Sequence, residues 1–241
     1  MTIDRDTNQL VPLGRLALEI LFFVALAFAI KQLFLIFFWR FAGPLSLYVL
    51  LILLTIYLRS QGLRWRDFGL APLKTWRSRV LILPQTLLAL AAFAGAVAPI
   101  LLLGEHYEIE FITTVPEGVD ERFGDVEASP AMFLLWLAIV WTAAAFGEEM
   151  FFRGYLVTRL SALFRPTPVG PILAIIIAAL TFGVGHIYYQ GLRGFVITGA
   201  IGIAFGGVFL LLKRNLWPLI LLHGLMDTAV FTITFLGIDP S

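Results

Sequence analysis

Long apolar stretches separated by short polar segments set the pattern of this chain. Most stretches contain about 20 residues, the length that an α-helix needs to cross the hydrocarbon core of a bilayer. Read by their apolar runs, they predict an all-α protein with about seven transmembrane helices. The expected helix ranges are 13–39, 42–58, 80–103, 131–152, 168–187, 195–212 and 217–236. We therefore predict one transmembrane bundle over residues 1–241, with no room for a separate soluble domain.

Composition supports this class. Hydrophobic residues make up 60% of the chain and charged residues only 14%, with a mean hydropathy of +0.92. The lipid bilayer is thus the expected partner, and no nucleic-acid partner is predicted. Because the chain has no cysteine, disulfides, thiolate chemistry and cysteine-ligated zinc are excluded. The first dozen residues are polar and lack the features of a signal peptide, so we expect the first helix to be retained.

Charge divides the loops into two groups. Most of the 17 Lys and Arg residues fall in the N-terminal segment, in 59–79, in 153–165 and at 213–214. The 104–130 loop is instead rich in Asp and Glu. By the positive-inside rule, the N-terminus and the 59–79 loop are predicted to be cytoplasmic. The aromatic residues of that loop fit either a segment lying on an anionic leaflet or an ordinary interfacial belt.

Ionisable residues also occur inside three predicted helices near the C-terminal end. An ionisable side chain at membrane depth costs roughly 2.5–3.5 kcal/mol on insertion scales, so such residues indicate function by default. They form three short patterns, in which Glu148-Glu149 precede Arg153, Phe182 precedes His186, and His223 precedes Asp227.

The first pattern predicts two different roles for its adjacent acids. Glu149 and Arg153 are four residues apart and share a helix face, so they are expected to form an ion pair with a structural or tuning role. Glu148 points elsewhere and has no partner nearby in sequence, which makes it the candidate general base. The alternative is that all three residues form only a structural ion-pair network.

The two histidines admit several roles. A single histidine such as His186 is more often a packing residue than a ligand, whereas His223 and Asp227 share a face on which a carboxylate can orient an imidazole. Two histidines and a glutamate can activate water directly by general-base catalysis. They can also do so through a divalent metal, held in that case by Glu148, His186 and His223.

Together the three patterns resemble E-E-x-x-x-R, F-x-x-x-H and H-x-x-x-N/D of the CAAX prenyl protease and bacteriocin-processing family, also called the abortive-infection family. The likeness starts near residue 59, and its motif-bearing core spans about 131–236. It implies a membrane endopeptidase with catalytic Glu148, His186, His223 and Asp227, in which the first glutamate activates water and the others hold the oxyanion. Glu149, Arg153 and Phe182 would have structural or tuning roles. The family has been described both as metalloproteases and as metal-independent glutamate proteases; we expect no cofactor, with a divalent metal such as zinc as the alternative.

Two features depart from a simple picture. The last motif ends in Asp227 where many members have Asn, so this residue must be protonated, orient His223 or accompany a metal. A straight helix from 168 would also carry His186 about 27 Å from its start, away from Glu148. His186 and Glu148 can still come together if the helix of Glu148 continues well beyond Arg153, or if the next helix begins later or is tilted. The apolar 155–164 stretch favours the first possibility.

The predicted function is hydrolysis of a peptide bond in a membrane-associated or prenylated-type polypeptide. Eukaryotic relatives of this family trim the last three residues from prenylated proteins. We expect a prokaryotic plasma membrane protein whose active cavity faces the cytoplasm. The alternatives are a non-catalytic immunity or partner-binding protein and, less supported, a proton-coupled transporter. The sequence predicts neither the substrate nor the oligomeric state.

Overall fold

The structure, a computed structural model, describes residues 11–238. The polar N-terminal start that we predict on the cytoplasmic side lies almost wholly outside the described residues. The described part is helical and contains no strand. Its helices are α1 Leu13–Phe37, α2 Ala42–Ser60, α3 Trp76–His106, α4 Glu110–Thr113, α5 Glu117–Phe123, α6 Pro130–Leu163, α7 Gly170–Val184, α8 Ile187–Leu211 and α9 Trp217–Phe235.

The number of spanning helices agrees with the prediction. In the described part of the chain, α1, α2, α3, α6, α8 and α9 are long and apolar enough to cross a membrane. Helix α7 is equally apolar but has only 15 residues, so at 1.5 Å per residue it spans about 22 Å. The all-α class is confirmed, and the chain is an integral membrane protein.

The predicted helix ends differ most from the structure at the end of α6 and at the start of α8. Helix α6 continues to Leu163 and does not stop at 152, because the charges in the predicted 153–165 loop are accommodated inside the bundle. Arg159 is only 1% exposed, and its Nε lies 2.7 Å from Glu19 Oε1 of α1. Helix α7 ends at residue 184, not 187. Helix α8 begins at 187, not 195, and is kinked at Gly191, where φ is 55°.

A buried polar cluster joins the first helices to α6. The carboxylate of Glu19 receives hydrogen bonds from the hydroxyls of Tyr57 and Tyr155, at 3.0 and 3.1 Å, in addition to its contact with Arg159. Tyr57 comes from α2, whereas Tyr155 and Arg159 both come from α6. The additional hydrogen bonds help to offset the cost of burying the carboxylate. The cluster therefore connects α1 and α2 to the part of α6 that sequence patterns placed in a loop.

Two sets of connections meet at opposite ends of the bundle. At one end, Leu216 N donates to Gly69 O at 3.2 Å, which joins the 61–75 and 212–216 connections. At the other end, Ala128 N donates to Phe235 O at 3.1 Å. We call 107–129 the cap segment, since it folds inward over this second end. Arg40, just before α2, holds the cap segment by donating from Nε to Arg122 O at 3.0 Å.

Candidate active site

The helices enclose a cavity of about 500 Å³ in the half of the bundle nearest the cap segment. Its walls are mainly apolar. All four residues predicted to be catalytic line it: Glu148 from α6, His186 between α7 and α8, and His223 and Asp227 from α9. The structure therefore brings together residues of all three sequence patterns around one cavity.

Helix α6 has unusual geometry where it carries the two glutamates. From Val140 to Val157 it is π-helical, with backbone hydrogen bonds to the fifth residue along the chain. Such turns are rare and concentrate at functional sites. The α9 helix approaches α6 closely, since a Cβ added at Gly224 would lie 2.5 Å from the Trp141 ring. A glycine directly after His223 thus allows that imidazole to reach the acids of α6.

His223 is oriented by Glu149. Its Nδ1 lies 2.9 Å from Glu149 Oε1, whereas its Nε2 lies 3.6 Å from Asp227 Oδ2 and 4.0 Å from Glu148 Oε2. Only the first contact is a hydrogen bond, and it requires the proton on Nδ1 because a carboxylate can only accept. Asp227 lies within ion-pair distance of Nε2 but forms no hydrogen bond with it, so its expected orienting role stays a prediction. Nε2 faces Glu148 and Asp227.

Glu149 also forms the predicted ion pair. Its Oε1 accepts from Arg153 Nη1 at 3.0 Å, and both side chains are buried. The Arg153 guanidinium lies 4.5 Å from the centre of the Phe182 ring, which gives this motif residue a cation–π contact. A single buried oxygen thus links the arginine of the first pattern to the histidine of the third.

Glu148, by contrast, has a free carboxylate. Within residues 11–238 it accepts no hydrogen bond, and its side chain is 21% exposed, against 0% for Glu149. His223 Nε2 lies 4.0 Å from Glu148 Oε2. This separation leaves space for a water that contacts both groups, which is the arrangement a general base requires.

His186 is held by the end of α7. Its Nδ1 lies 2.9 Å from Phe182 O, one of the last carbonyls of a helix, which have no partner in the helix itself. The ring also packs edge-on against the Phe182 ring, with 4.6 Å between the ring centres. Because a carbonyl only accepts, Nδ1 carries a proton, and a neutral His186 presents Nε2 as an acceptor. It can donate to an oxyanion only as the imidazolium.

The distance problem posed by His186 is resolved by two helices. Helix α6 extends ten residues past Arg153, so Glu148 lies in the middle of the bundle, as the apolar 155–164 stretch predicts. Helix α7 is short and starts at residue 170. His186 therefore reaches the cavity from a connection that lies within the bundle and not beyond it.

Comparison with known proteins places this core in a family. Residues 130–229 match the family model described as type II CAAX prenyl endopeptidase, Rce1-like. This part of the chain is similar to the Rce1-like family. The predicted resemblance is thereby confirmed, and the Rce1-like domain contains all three sequence patterns. The family consists of proteases, so the match supports a relationship to CAAX protease-like intramembrane endopeptidases. Searches of curated proteins and of solved structures give no match.

The structure leaves the metal alternative open. Among residues 11–238, no three His, Asp or Glu side chains lie close enough in this arrangement to hold a metal ion together. The contact of His223 Nδ1 with Glu149 leaves Nε2 facing Glu148 at 4.0 Å. A divalent metal held by Glu148, His186 and His223 therefore stays a prediction.

Sequence reasoning missed a second set of cavity residues, near the cap segment. Lys31 of α1 donates to Gly185 O, and its Nζ lies 3.9 Å from the centre of the Tyr188 ring. Arg122 of α5 donates to the Tyr188 hydroxyl. Both cations lie outside the Rce1-like match. Lys31 could have been recognised as a charge inside an apolar helix, whereas nothing in the sequence distinguishes Arg122 from other loop arginines.

Proposed function

We propose that the protein is an endopeptidase that uses Glu148 to activate water inside the membrane. The observation that carries this proposal is the contrast between the two acids. Glu149 accepts hydrogen bonds from Arg153 and His223, whereas Glu148 accepts none and lines the cavity. A general base must be free to accept a proton, and only one of the two acids is.

The proposed reaction starts with a water between Glu148 and His223. Glu148 takes a proton from this water while the water oxygen attacks the carbonyl carbon of the scissile bond. Negative charge then develops on the carbonyl oxygen, where His223 donates from Nε2 as an imidazolium held by Glu149. Collapse of the intermediate breaks the C–N bond, and Glu148 returns its proton to the leaving amine. One water is consumed, and a carboxylic acid and an amine are formed.

The proposed substrate is a membrane-associated or prenylated-type polypeptide, and the proposed location is a prokaryotic plasma membrane. The mainly apolar cavity suits apolar side chains near the cleaved bond. The cavity lies in the half of the bundle nearest the cap segment, which the positive-inside rule assigns to the outer side. The expected cytoplasmic opening and the expected orientation therefore disagree, and a labelling experiment described in the Discussion decides between them.

Cleavage of a defined peptide tests the proposal. The purified protein in detergent is incubated with a farnesylated peptide that ends in a CAAX-type sequence. The peptide carries a fluorophore and a quencher on opposite sides of the scissile bond. Glu148→Gln should lower the rate by roughly 10²–10⁴-fold, the contribution expected of a general base. Glu121→Gln, an exposed acid of the cap segment, is the matched control and should leave the rate unchanged. Equal rates for the Glu148→Gln and native proteins would refute the proposed role and favour a binding or immunity function.

A further inference from the structure

The cations Lys31 and Arg122 form a cluster around Tyr188, which we call the cation subsite. Lys31 lies against the ring of this tyrosine, and Arg122 contacts its hydroxyl. Within residues 11–238 neither cation forms a salt bridge. Both nevertheless line the same cavity as Glu148. The cavity thus has an acid at one position and two cations without carboxylate partners at another.

Arg122 is the more unusual of the two cations. Its side chain is 5% exposed, and its Nε is buried without a hydrogen-bond partner. Aromatic rings surround it, with Tyr189 at 4.4 Å and Phe123 at 5.0 Å. Burial lowers the pKa of the Arg122 guanidinium, because the charge is hard to sustain away from water. A buried cation of this kind is costly unless an anion accompanies it.

We propose that Arg122 and Lys31 bind the free carboxylate at the C-terminus of the peptide substrate. A guanidinium matches a carboxylate in shape and hydrogen-bonding geometry, and the ammonium of Lys31 adds a second charge. Val119 and Phe123, which flank Arg122 in the cap segment, also line the cavity. This inference rests on the proposed endopeptidase function. It makes cleavage depend on the distance between the scissile bond and the terminus.

The competing explanation is that the two cations only balance the negative charge of Glu148 and Asp227 in the same cavity. The two explanations differ in what they predict for the substrate. Charge balance within the protein acts equally on any peptide. A carboxylate subsite distinguishes a peptide ending in a free acid from the same peptide ending in an amide.

Binding of such a peptide pair tests the inference without turnover. Both farnesylated peptides are titrated against the Glu148→Gln protein, with binding followed by fluorescence anisotropy. The acid should bind roughly 10- to 100-fold more tightly than the amide, as expected for hydrogen bonds to a charged group. Adding Arg122→Gln should remove this preference. Arg193→Gln is the matched control, because Arg193 lines the same cavity but donates from Nε to Ile112 O at 2.9 Å, and it should keep the preference.

Several outcomes separate the explanations. Equal weakening of both peptides by Arg122→Gln would overturn the subsite in favour of charge balance or a structural role. A third peptide, amidated but with an Asp as last residue, reports on a side-chain carboxylate, and binding equal to that of the free acid would overturn the assignment to the terminus. Should Arg122→Gln fail to fold, Lys31→Met provides the same comparison. If the acid binds more tightly than the amide but the native protein cleaves neither, the result supports the subsite and refutes the endopeptidase function. If the native protein cleaves acid and amide with equal efficiency, the result supports the endopeptidase function and refutes the subsite.

Discussion

Comparison of Glu149→Gln with Glu148→Gln should separate the contribution of the site to stability from its contribution to catalysis. In the native protein, Glu149 Oε1 accepts from Arg153 at 3.0 Å and from His223 at 2.9 Å, and Oε2 is buried without a partner. A glutamine oxygen can accept both bonds but carries no charge. Its amide group at the position of Oε2 would place two further donors where nothing accepts them. The change therefore leaves a buried guanidinium without its counter-ion.

The magnitude follows from the burial of this pair. Arg153 is 2% exposed, and its remaining contacts are aromatic rings, so removing its anion should lower the free energy of unfolding by about 3–5 kcal/mol. His223 loses its charged partner at Nδ1, which should reduce activity roughly 10–100-fold, as for other partners that hold a catalytic or ligating imidazole. Glu148→Gln should instead affect catalysis far more than stability. Its side chain is partly exposed and unbonded, so stability should change by less than about 1 kcal/mol while cleavage is lost.

Thermal unfolding in detergent and cleavage of the fluorogenic peptide should be measured on the same preparations. Native and Glu148→Gln proteins should unfold at similar temperatures, and Glu149→Gln should unfold well below them. An unchanged unfolding temperature for Glu149→Gln would show that the buried pair contributes no net stability. If Glu149→Gln is as stable as native but as inactive as Glu148→Gln, then the roles of the two acids are assigned the wrong way round.

Two further predictions concern the oxyanion and the membrane orientation. Asp227→Asn should match or exceed native activity and remain insensitive to chelator, because an uncharged amide cannot repel a developing oxyanion. Metal-free chemistry would be refuted if Asp227→Asn lost activity and a chelator abolished the activity of the native protein. Because the chain has no cysteine, Ser60→Cys and Thr113→Cys each introduce a single thiol, at the basic and cap-segment ends of the bundle. In intact cells an impermeant maleimide should label only the Thr113→Cys protein if the positive-inside rule holds, and the reverse pattern would place the cavity on the cytoplasmic side.

Local patterns were sufficient for much of the site. The i,i+4 spacing of Glu149 and Arg153 predicts their ion pair, because one helix turn brings those side chains together whatever the tertiary fold. The same spacing brings His223 and Asp227 to 3.6 Å, which is ion-pair distance for a protonated imidazole but longer than a hydrogen bond. There a long-range partner, Glu149, lies closer to the imidazole. Sequence spacing can identify which residues are near one another on a helix but not which neighbour from another helix competes for them.

Helix ends show a similar division. The apolar runs predict the spanning helices because a bilayer requires about 20 apolar residues per crossing. They misplace the end of α6 because Arg159 reads as a loop residue, although Glu19 of α1 lies 2.7 Å from it in the folded protein. A charge looks incompatible with burial until its partner is known, and that partner lies 140 positions earlier in the chain.

By itself, the sequence determined the membrane class, the all-α fold and the three chemical patterns, since these depend on hydrophobicity and short spacing. Only the tertiary structure decided that His223 bonds Glu149, because the packing of α9 against α6 sets which acid meets the imidazole. It also decided that Arg122, from α5 outside the matched residues, is buried at the same cavity. Such long-range contacts arise when the cap segment folds over the bundle, and no local pattern encodes them.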